Sequence, residues 1–149
     1  MKPMFNLFAA VMLLFATSCT KADESVTPSS TTLGGITVTV GGRSFDATLE
    51  QSSTAEAFLN MLPLTLEMSE LNGNEKYHYL DRPLPTNSVR PGTIHEGDLM
   101  LYGENCVVLF YENFSSSYSY SRIGRITDPS GLKEALGTDN ATVIFDRKR

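Results

Sequence analysis

Apolar and polar side chains alternate along much of the chain, and this alternation predicts strands. Between residues 36 and 40, and again between residues 45 and 49, apolar residues occupy every second position. A period of two is typical of a strand with one buried face. Gly41 and Gly42 lie between the two runs and can adopt the positive φ angles of a two-residue turn. The first predicted element is therefore an antiparallel hairpin.

Six further strands are predicted downstream of this hairpin. They lie at residues 64–69, 77–80, 99–102, 106–111, 122–126 and 141–145. Residues 106–111 are all apolar, which is typical of a strand buried on both faces in the middle of a sheet or in a closed barrel. The proline-containing residues 81–97 and the polar, aromatic residues 113–121 are predicted as connections. A connection as long as the first is usually functional or covers part of the domain.

Two short helices complete the predicted elements. A capping box at residues 53–56 predicts a helix that runs to about Met61. Asp128 as the N-cap and Pro129 at the first helical position predict a second helix, which ends at Gly137. Antiparallel hairpins that close on themselves, with helices at the ends, give a small barrel. The expected fold is therefore mainly β, a closed eight-stranded barrel with two short helices.

The N-terminus predicts a bacterial lipoprotein. Lys2 precedes an unbroken apolar stretch at residues 7–16, which suits a signal peptide and is too short for a bilayer span of about 20 residues. Small residues at positions 16–18 lead into Cys19, and this arrangement resembles a relaxed lipobox of Bacteroidetes type, in which the cysteine is acylated. An ordinary secretory signal is the alternative. The expected location is the bacterial cell envelope, with the membrane contacted through a lipid anchor at Cys19.

Composition divides the chain into three parts. Residues 1–18 form the predicted lipoprotein signal peptide, residues 19–35 a flexible linker rich in serine and threonine, and residues 36–146 one folded domain. The net charge of −5 argues against binding to nucleic-acid backbones, which requires a clustered positive face. Residues 46–112 hold eleven acids and three bases, so a cationic partner or substrate is preferred.

Several longer strings in the predicted domain resemble a family of bacterial cyclophilin-like domains. They lie at residues 62–64, 68–77, 92–98, 101–103, 114–120 and 123–126. The resemblance extends over residues 36–145 and implies a closed, eight-stranded barrel of the cyclophilin type. The family carries no assigned reaction, so the resemblance implies a fold and not a function.

No residue pattern in the chain predicts a catalytic centre, a metal site or a cofactor. His95 lies near Glu96 and Asp98, but one histidine with two acids falls short of the three or four ligands of a usual zinc site. Cys106 starts the most apolar strand with no base beside it, so a buried, unreactive thiol is expected.

True cyclophilins are prolyl isomerases, and isomerase activity is an alternative for this chain. Their mechanism requires a guanidinium aimed at the prolyl amide and an apolar pocket for the ring. The chain lacks the recognisable isomerase segment that runs from arginine to glutamine, and it has no tryptophan. Arg122 or Arg125 could take a comparable place, although no motif aligns them there.

The aromatic segment at residues 111–120 is the feature that most favours a function. Tyrosine and serine together make adaptable binding surfaces, because rigid amphipathic rings lie beside small hydrogen-bonding groups. A groove on one face of the barrel is expected there, although tyrosines that only cover the barrel are the alternative. The predicted ligand-binding residues are Asn74, Glu75, Tyr77, Tyr111, Phe114, Tyr118, Tyr120 and Arg122.

The resulting expectation is an envelope lipoprotein whose barrel binds a peptide or a small molecule. A prolyl isomerase or another envelope folding helper is one alternative, and a purely structural or interaction domain is the other. A buried arginine in an apolar groove would favour the isomerase. A groove lined by tyrosine without arginine would favour binding, and a surface without any concavity would favour the interaction domain.

Overall fold

The computed structural model describes residues 33–149. In chain order its strands are β1 (Ile36–Val40), β2 (Arg43–Leu49), β3 (Leu64–Leu71), β4 (Glu75–Tyr79), β5 (Gly92–Ile94), β6 (Asp98–Tyr102), β7 (Cys106–Phe110), β8 (Phe114–Ser116), β9 (Ser121–Ile126) and β10 (Ala141–Arg147). The helices are α1 (Ser53–Met61) and α2 (Leu132–Leu136). Among the described residues, no helix is both long and apolar enough to span a bilayer.

Eight of the strands form one closed antiparallel barrel, which confirms the predicted fold class. The order around the barrel is β1-β10-β3-β4-β7-β6-β9-β2, and β2 pairs with β1 to complete the circle. In the β1–β2 hairpin, Val40 pairs with Arg43, so Gly41 and Gly42 form the predicted two-residue turn. Their φ angles are +57° and +73°, which suit the right-handed twist of the flanking strands.

The two remaining strands form a small ribbon outside the barrel. β5 and β8 pair antiparallel, with Ile94 opposite Phe114. Both strands lie in segments that the sequence predicted as connections, and that prediction is wrong for these residues. The strands have only three residues each, too few for a period of two to be recognised, and each is held by the other across a long sequence separation.

Two apolar clusters lie on opposite sides of β6 and β7. Leu99, Leu101, Val107 and Leu109 point into the main core inside the barrel, to which α1 contributes Phe58. The intervening Met100, Cys106, Val108 and Phe110 point outwards and pack against Ile94, Tyr120 and the partly buried Phe114. The continuous apolar run of β7 is therefore buried on both faces, as its sequence predicted.

Both helices begin at different residues from those predicted. The N-cap of α1 is Ser52, whose hydroxyl accepts a hydrogen bond from the Ala55 N–H at 3.1 Å, so the predicted capping box is one residue late. Asp128 does not cap α2. Its carboxylate instead accepts the Ser130 N–H in a turn, and α2 follows Gly131 in the left-handed conformation. In α1 two adjacent serines compete for the capping position, whereas in α2 the Asp128 side chain is used in a turn and Gly131 takes the position before the helix.

Candidate functional site

A groove with tyrosine walls lies on the outer face of the barrel. It has a volume of about 460 Å³ and lies between the outward face of β4, β7 and β6 and the segment at residues 114–118. We call it the aromatic groove. Five of the six tyrosines in the chain line it, namely Tyr77, Tyr79, Tyr102, Tyr118 and Tyr120.

The rings of these tyrosines contact one another edge to face. The centroids of Tyr77 and Tyr79 are 5.8 Å apart, and those of Tyr102 and Tyr118 are 6.0 Å apart. Tyr79 and Tyr118 are 60% and 62% exposed, whereas Tyr120 is buried. The groove therefore has an open aromatic rim above a buried aromatic floor.

Alternation along β4 places one polar and two aromatic side chains in the groove. Glu75, Tyr77 and Tyr79 line it, whereas the intervening Lys76 is fully buried and makes its bonds elsewhere. The turn before β4 uses positive φ angles at Asn72 and Gly73, which places Asn74 at the groove. The carbonyl of Asn74 accepts the Tyr111 N–H at 3.0 Å, which ties this turn to the end of β7.

Among the described residues that line the groove, Glu75 is the only aspartate, glutamate, lysine, arginine or histidine. Burial, and then the charge of nearby Glu70, raises the pKa of the Glu75 carboxyl above its usual value. Burial and the charge of Glu75 also raise the pKa of the Cys106 thiol to about 11. Cys106 is therefore protonated at neutral pH and is a poor nucleophile.

Six of the eight predicted ligand-binding residues line the aromatic groove. They are Asn74, Glu75, Tyr77, Phe114, Tyr118 and Tyr120. Tyr111 and Arg122 do not line it. Tyr111 lies in the main core with Val107 and Leu109, because it continues the inward-facing positions of β7. Arg122 is on β9, which β6 separates from β7, and it lines a separate cavity of about 170 Å³ beside Glu50 and Gln51.

Several residues that line the groove are not among those predicted from the sequence. Tyr79 follows Glu75 and Tyr77 at a spacing of two, so the period of a strand could have placed it on the same face. Tyr102 and Val108 carry no such local signal. They reach the groove because β6 and β7 pair with each other and β7 pairs with β4.

The hydroxyl of Tyr111 and the ammonium of Lys76 meet at one carboxylate. Tyr111 donates to the two Glu70 carboxylate oxygens at 2.7 and 2.8 Å, and Lys76 also donates to Glu70. The Lys76 ammonium donates further to the carbonyls of Gly137 at 2.9 Å and Asp139 at 2.6 Å. Each Lys76 proton has an acceptor, so this network is structural.

Neither arginine that sequence analysis considered for isomerase chemistry lines the aromatic groove. The Arg125 side chain donates from Nε to Oδ1 of buried Asp98 at 2.9 Å. The second Asp98 oxygen accepts the backbone N–H of His95 at 2.9 Å, so Asp98 holds the turn before β6. Within residues 33–149, no group of three or more histidine, cysteine, aspartate or glutamate side chains is placed to hold a metal ion.

Comparisons with known proteins agree with the fold. A model of the Cyclophilin-like family matches residues 38–146, close to the extent of the sequence resemblance. The chain is also similar to the solution structure of a hypothetical protein from Archaeoglobus fulgidus, with a TM-score of 0.53 and 17% identity. That similarity covers 77% of this chain and 95% of the archaeal one. No protein among those with curated functions matches the sequence.

Proposed function

Since the chain belongs to the cyclophilin-like family, whose fold does not by itself assign a function, we propose that it is a binding module. In this proposal the aromatic groove holds a short peptide segment or a small molecule. The observation that carries the proposal is a concave site with five tyrosines and no arginine, lysine or histidine among the described residues that line it.

The size and the walls of the groove support this function. Sites for small ligands have volumes of roughly 300–1,000 Å³, and the groove measures about 460 Å³. Tyrosine offers a large contact area with few rotatable bonds, so little conformational entropy is lost on binding. Ser115 and Ser116 beside Tyr118 add small hydrogen-bonding groups to one wall.

We further propose that the module is attached to a bacterial envelope membrane through acyl chains on Cys19. The predicted signal peptide, Cys19 and most of the predicted linker lie outside the described residues. The support comes from the sequence: an apolar stretch of signal-peptide length, small residues before the cysteine, and a polar segment after it.

Binding can be tested with the full-length protein and a panel of acetylated, amidated Gly-X-Gly tripeptides in which X is apolar, aromatic, acidic or basic. Amide chemical shifts are expected to change around Tyr77, Tyr79 and Tyr118. Tyr118→Ala should reduce the affinity for the peptides that bind by about tenfold, because it removes an exposed ring without opening the core. Ile144→Ala is the matched control, since Ile144 is an exposed apolar residue that does not line the groove. The proposal would be contradicted if no peptide of the panel bound, or if the peptides bound Tyr118→Ala as tightly as the wild type.

The same preparation separates binding from isomerase activity. Because no guanidinium of residues 33–149 lines the groove, peptides with an Ala-Pro bond should exchange between cis and trans at the uncatalysed rate. Acceleration that Tyr118→Ala reduces would make the groove a catalytic site instead. If Arg122→Ala abolishes the acceleration and Tyr118→Ala does not, the catalytic site is the smaller cavity that Arg122 lines.

A further inference from the structure

Glu75 lies in the aromatic groove, and none of the described lysine, arginine or histidine residues pairs with it. The lysine and arginine ion pairs of the described residues are Lys76 with Glu70, Arg125 with Asp98, Lys133 with Glu112, and Lys148 with Asp46, and the His95 ring lies 3.8 Å from Asp98. Lys76 is adjacent in sequence, but its ammonium is held by Glu70 and two carbonyls. The half-buried carboxylate of Glu75 is thus left free to accept hydrogen bonds from a ligand.

A second acceptor without a partner lies beside Glu75. The side-chain oxygen of Asn74 is buried, and among residues 33–149 it is the one buried side-chain oxygen or nitrogen without a hydrogen bond. Asn74 also lines the groove. Native proteins satisfy nearly all their buried polar atoms, so an unsatisfied acceptor next to an unpaired carboxylate points to a missing donor.

The walls around these acceptors are the faces and edges of tyrosine rings. The face of an aromatic ring carries partial negative charge and attracts ammonium and guanidinium groups. Tyr77 and Tyr79 extend along β4 from Glu75, and both line the groove. No described residue that lines the groove would repel a cation.

We propose that the aromatic groove selects a protonated amine or guanidinium, with Glu75 and Asn74 accepting its hydrogen bonds and the tyrosine rings enclosing its alkyl stem. This inference rests on the proposed binding function and names the chemistry of the ligand. The group can come from a lysine or arginine side chain of a peptide or from a free alkylamine. Both sources present N–H donors on a positively charged group.

The test compares three probes against the full-length protein: acetylated, amidated Gly-Lys-Gly, the same peptide with norleucine for lysine, and free n-butylamine. Norleucine keeps the alkyl chain and removes the charge. The lysine peptide should bind at least about tenfold more tightly than the norleucine peptide, because only its ammonium can form a charge-assisted hydrogen bond in the groove. If n-butylamine binds as tightly as the lysine peptide, a free amine is a sufficient ligand. If the lysine peptide binds more tightly than n-butylamine, the ligand is a peptide.

Two substitutions in the groove complete the test. Glu75→Gln should reduce affinity for the lysine peptide about tenfold and leave the norleucine peptide unchanged. The matched control is Glu56→Gln, which removes an exposed carboxylate on α1 outside the groove and should leave both affinities unchanged. Tyr79→Leu alters an exposed ring and should also weaken the lysine peptide more than the norleucine peptide.

The possible failures are distinguishable. If the lysine and norleucine peptides bind equally and Glu75→Gln changes neither, the cation inference is overturned while the groove remains a binding site. If no probe and no peptide of the Gly-X-Gly panel binds, both proposals are overturned. Thermal unfolding of Glu75→Gln shows whether the variant is folded, and its midpoint should not fall, because burial disfavours the charge that the substitution removes.

Discussion

Lys76 is the residue whose role differs most from what its type suggests. Lysine is almost never fully buried unless it is paired, yet Lys76 has no exposed surface. Its ammonium contacts Glu70 and the carbonyls of Gly137 and Asp139, and lies 5.3 Å from the centre of the Tyr111 ring. The side chain therefore joins β3 and β4 to the segment between α2 and β10.

Lys76→Met should destabilise the protein by about 2–4 kcal/mol. The substitution keeps an unbranched apolar stem of nearly the same length but leaves two carbonyls without a donor and Glu70 without its cation. Urea unfolding measures the change. Lys133→Met is the control, because the Lys133 side chain is 56% exposed and its bond to Glu112 lies at the surface, where such pairs contribute about 0–1 kcal/mol. Equal losses in the two variants would contradict a structural role for Lys76.

The carboxyl of Glu70 makes the stability of the fold depend on pH. Burial raises its pKa, but bonds from Lys76, Tyr111 and the Gly73 N–H outweigh burial and leave the pKa below its usual value. The groups that face it are Lys76 on β4, Tyr111 after β7 and the charge of Glu75. A carboxyl with a lowered pKa in the folded state contributes stability above its unfolded pKa, and this contribution is lost as the pH falls through the folded pKa.

Stability of the wild type should therefore decline as the pH falls below the usual glutamate range of about 4.3. Glu70→Gln should be less stable than wild type at neutral pH and should show a shallower decline. Urea unfolding at several pH values between about 7 and 3 gives both slopes. Glu56→Gln serves as the control. Glu56 is exposed on α1, so its replacement should leave the dependence of unfolding free energy on pH the same as in the wild type. If the stability of Glu70→Gln declines with falling pH as steeply as that of the wild type, acidic residues other than Glu70 cause the decline.

At the scale of elements, β9 can take its place only because one of its residues has no side chain. Gly124 pairs with Leu49 on β2 and with Leu99 on β6. A Cβ at position 124 would lie 2.2 Å from the carbonyl oxygen of Thr48, which is well inside van der Waals contact. The strand order around the barrel therefore depends on a glycine in the middle of a strand.

Gly124→Ala should lower the free energy of unfolding by about 1–3 kcal/mol, because β2 or β9 must shift to admit the methyl group. Gly35→Ala is the control, since a Cβ at that position meets its nearest neighbours at 3.5 Å, an ordinary contact distance. Thermal unfolding compares the two variants. A Gly124→Ala midpoint equal to that of Gly35→Ala would show that the two strands are free to move apart.

The sequence predicted elements well where the pattern is local. The β1–β2 hairpin, the apolar β7 and the presence of α1 follow from spacing within a few residues. The ribbon of β5 and β8 could not be predicted in this way, because each strand has three residues and its partner lies about twenty residues away. The same holds for the start of α2, where Gly131 takes the capping position that Asp128 was expected to hold.

At the scale of the whole molecule, the aromatic groove depends on barrel closure. Its outward-facing residues come from β4, β7 and β6; β4 pairs with β7 although β5 and β6 lie between them in the chain. The ribbon of β5 and β8 covers the adjacent apolar patch around Phe110, which packs against Phe114 at 5.7 Å. One wall of the groove, at residues 114–118, begins in this ribbon.

The proposed attachment to a membrane is also a property of the whole molecule. Expressed in full length in a bacterium that acylates lipoproteins, the protein should incorporate an alkyne-labelled fatty acid and sediment with membranes. Cys19→Ala should abolish both results. Cys106→Ala is the matched control, because Cys106 is the one other cysteine and is buried. Label retained in Cys19→Ala would contradict acylation at that residue.

The sequence by itself determined the class of the fold and most strands, because alternation, turn glycines and apolar runs act between near neighbours. It also pointed to Phe114, Tyr118 and Tyr120 through the density of tyrosine and serine, and to Asn74, Glu75 and Tyr77 as their expected polar neighbours. Only the tertiary structure decided that Tyr111 turns into the core to bind Glu70, that Arg122 lies beyond β6, and that Tyr102 completes an aromatic wall. Those outcomes depend on which strands pair around a closed barrel, and strand pairing is set by contacts between residues far apart in the chain.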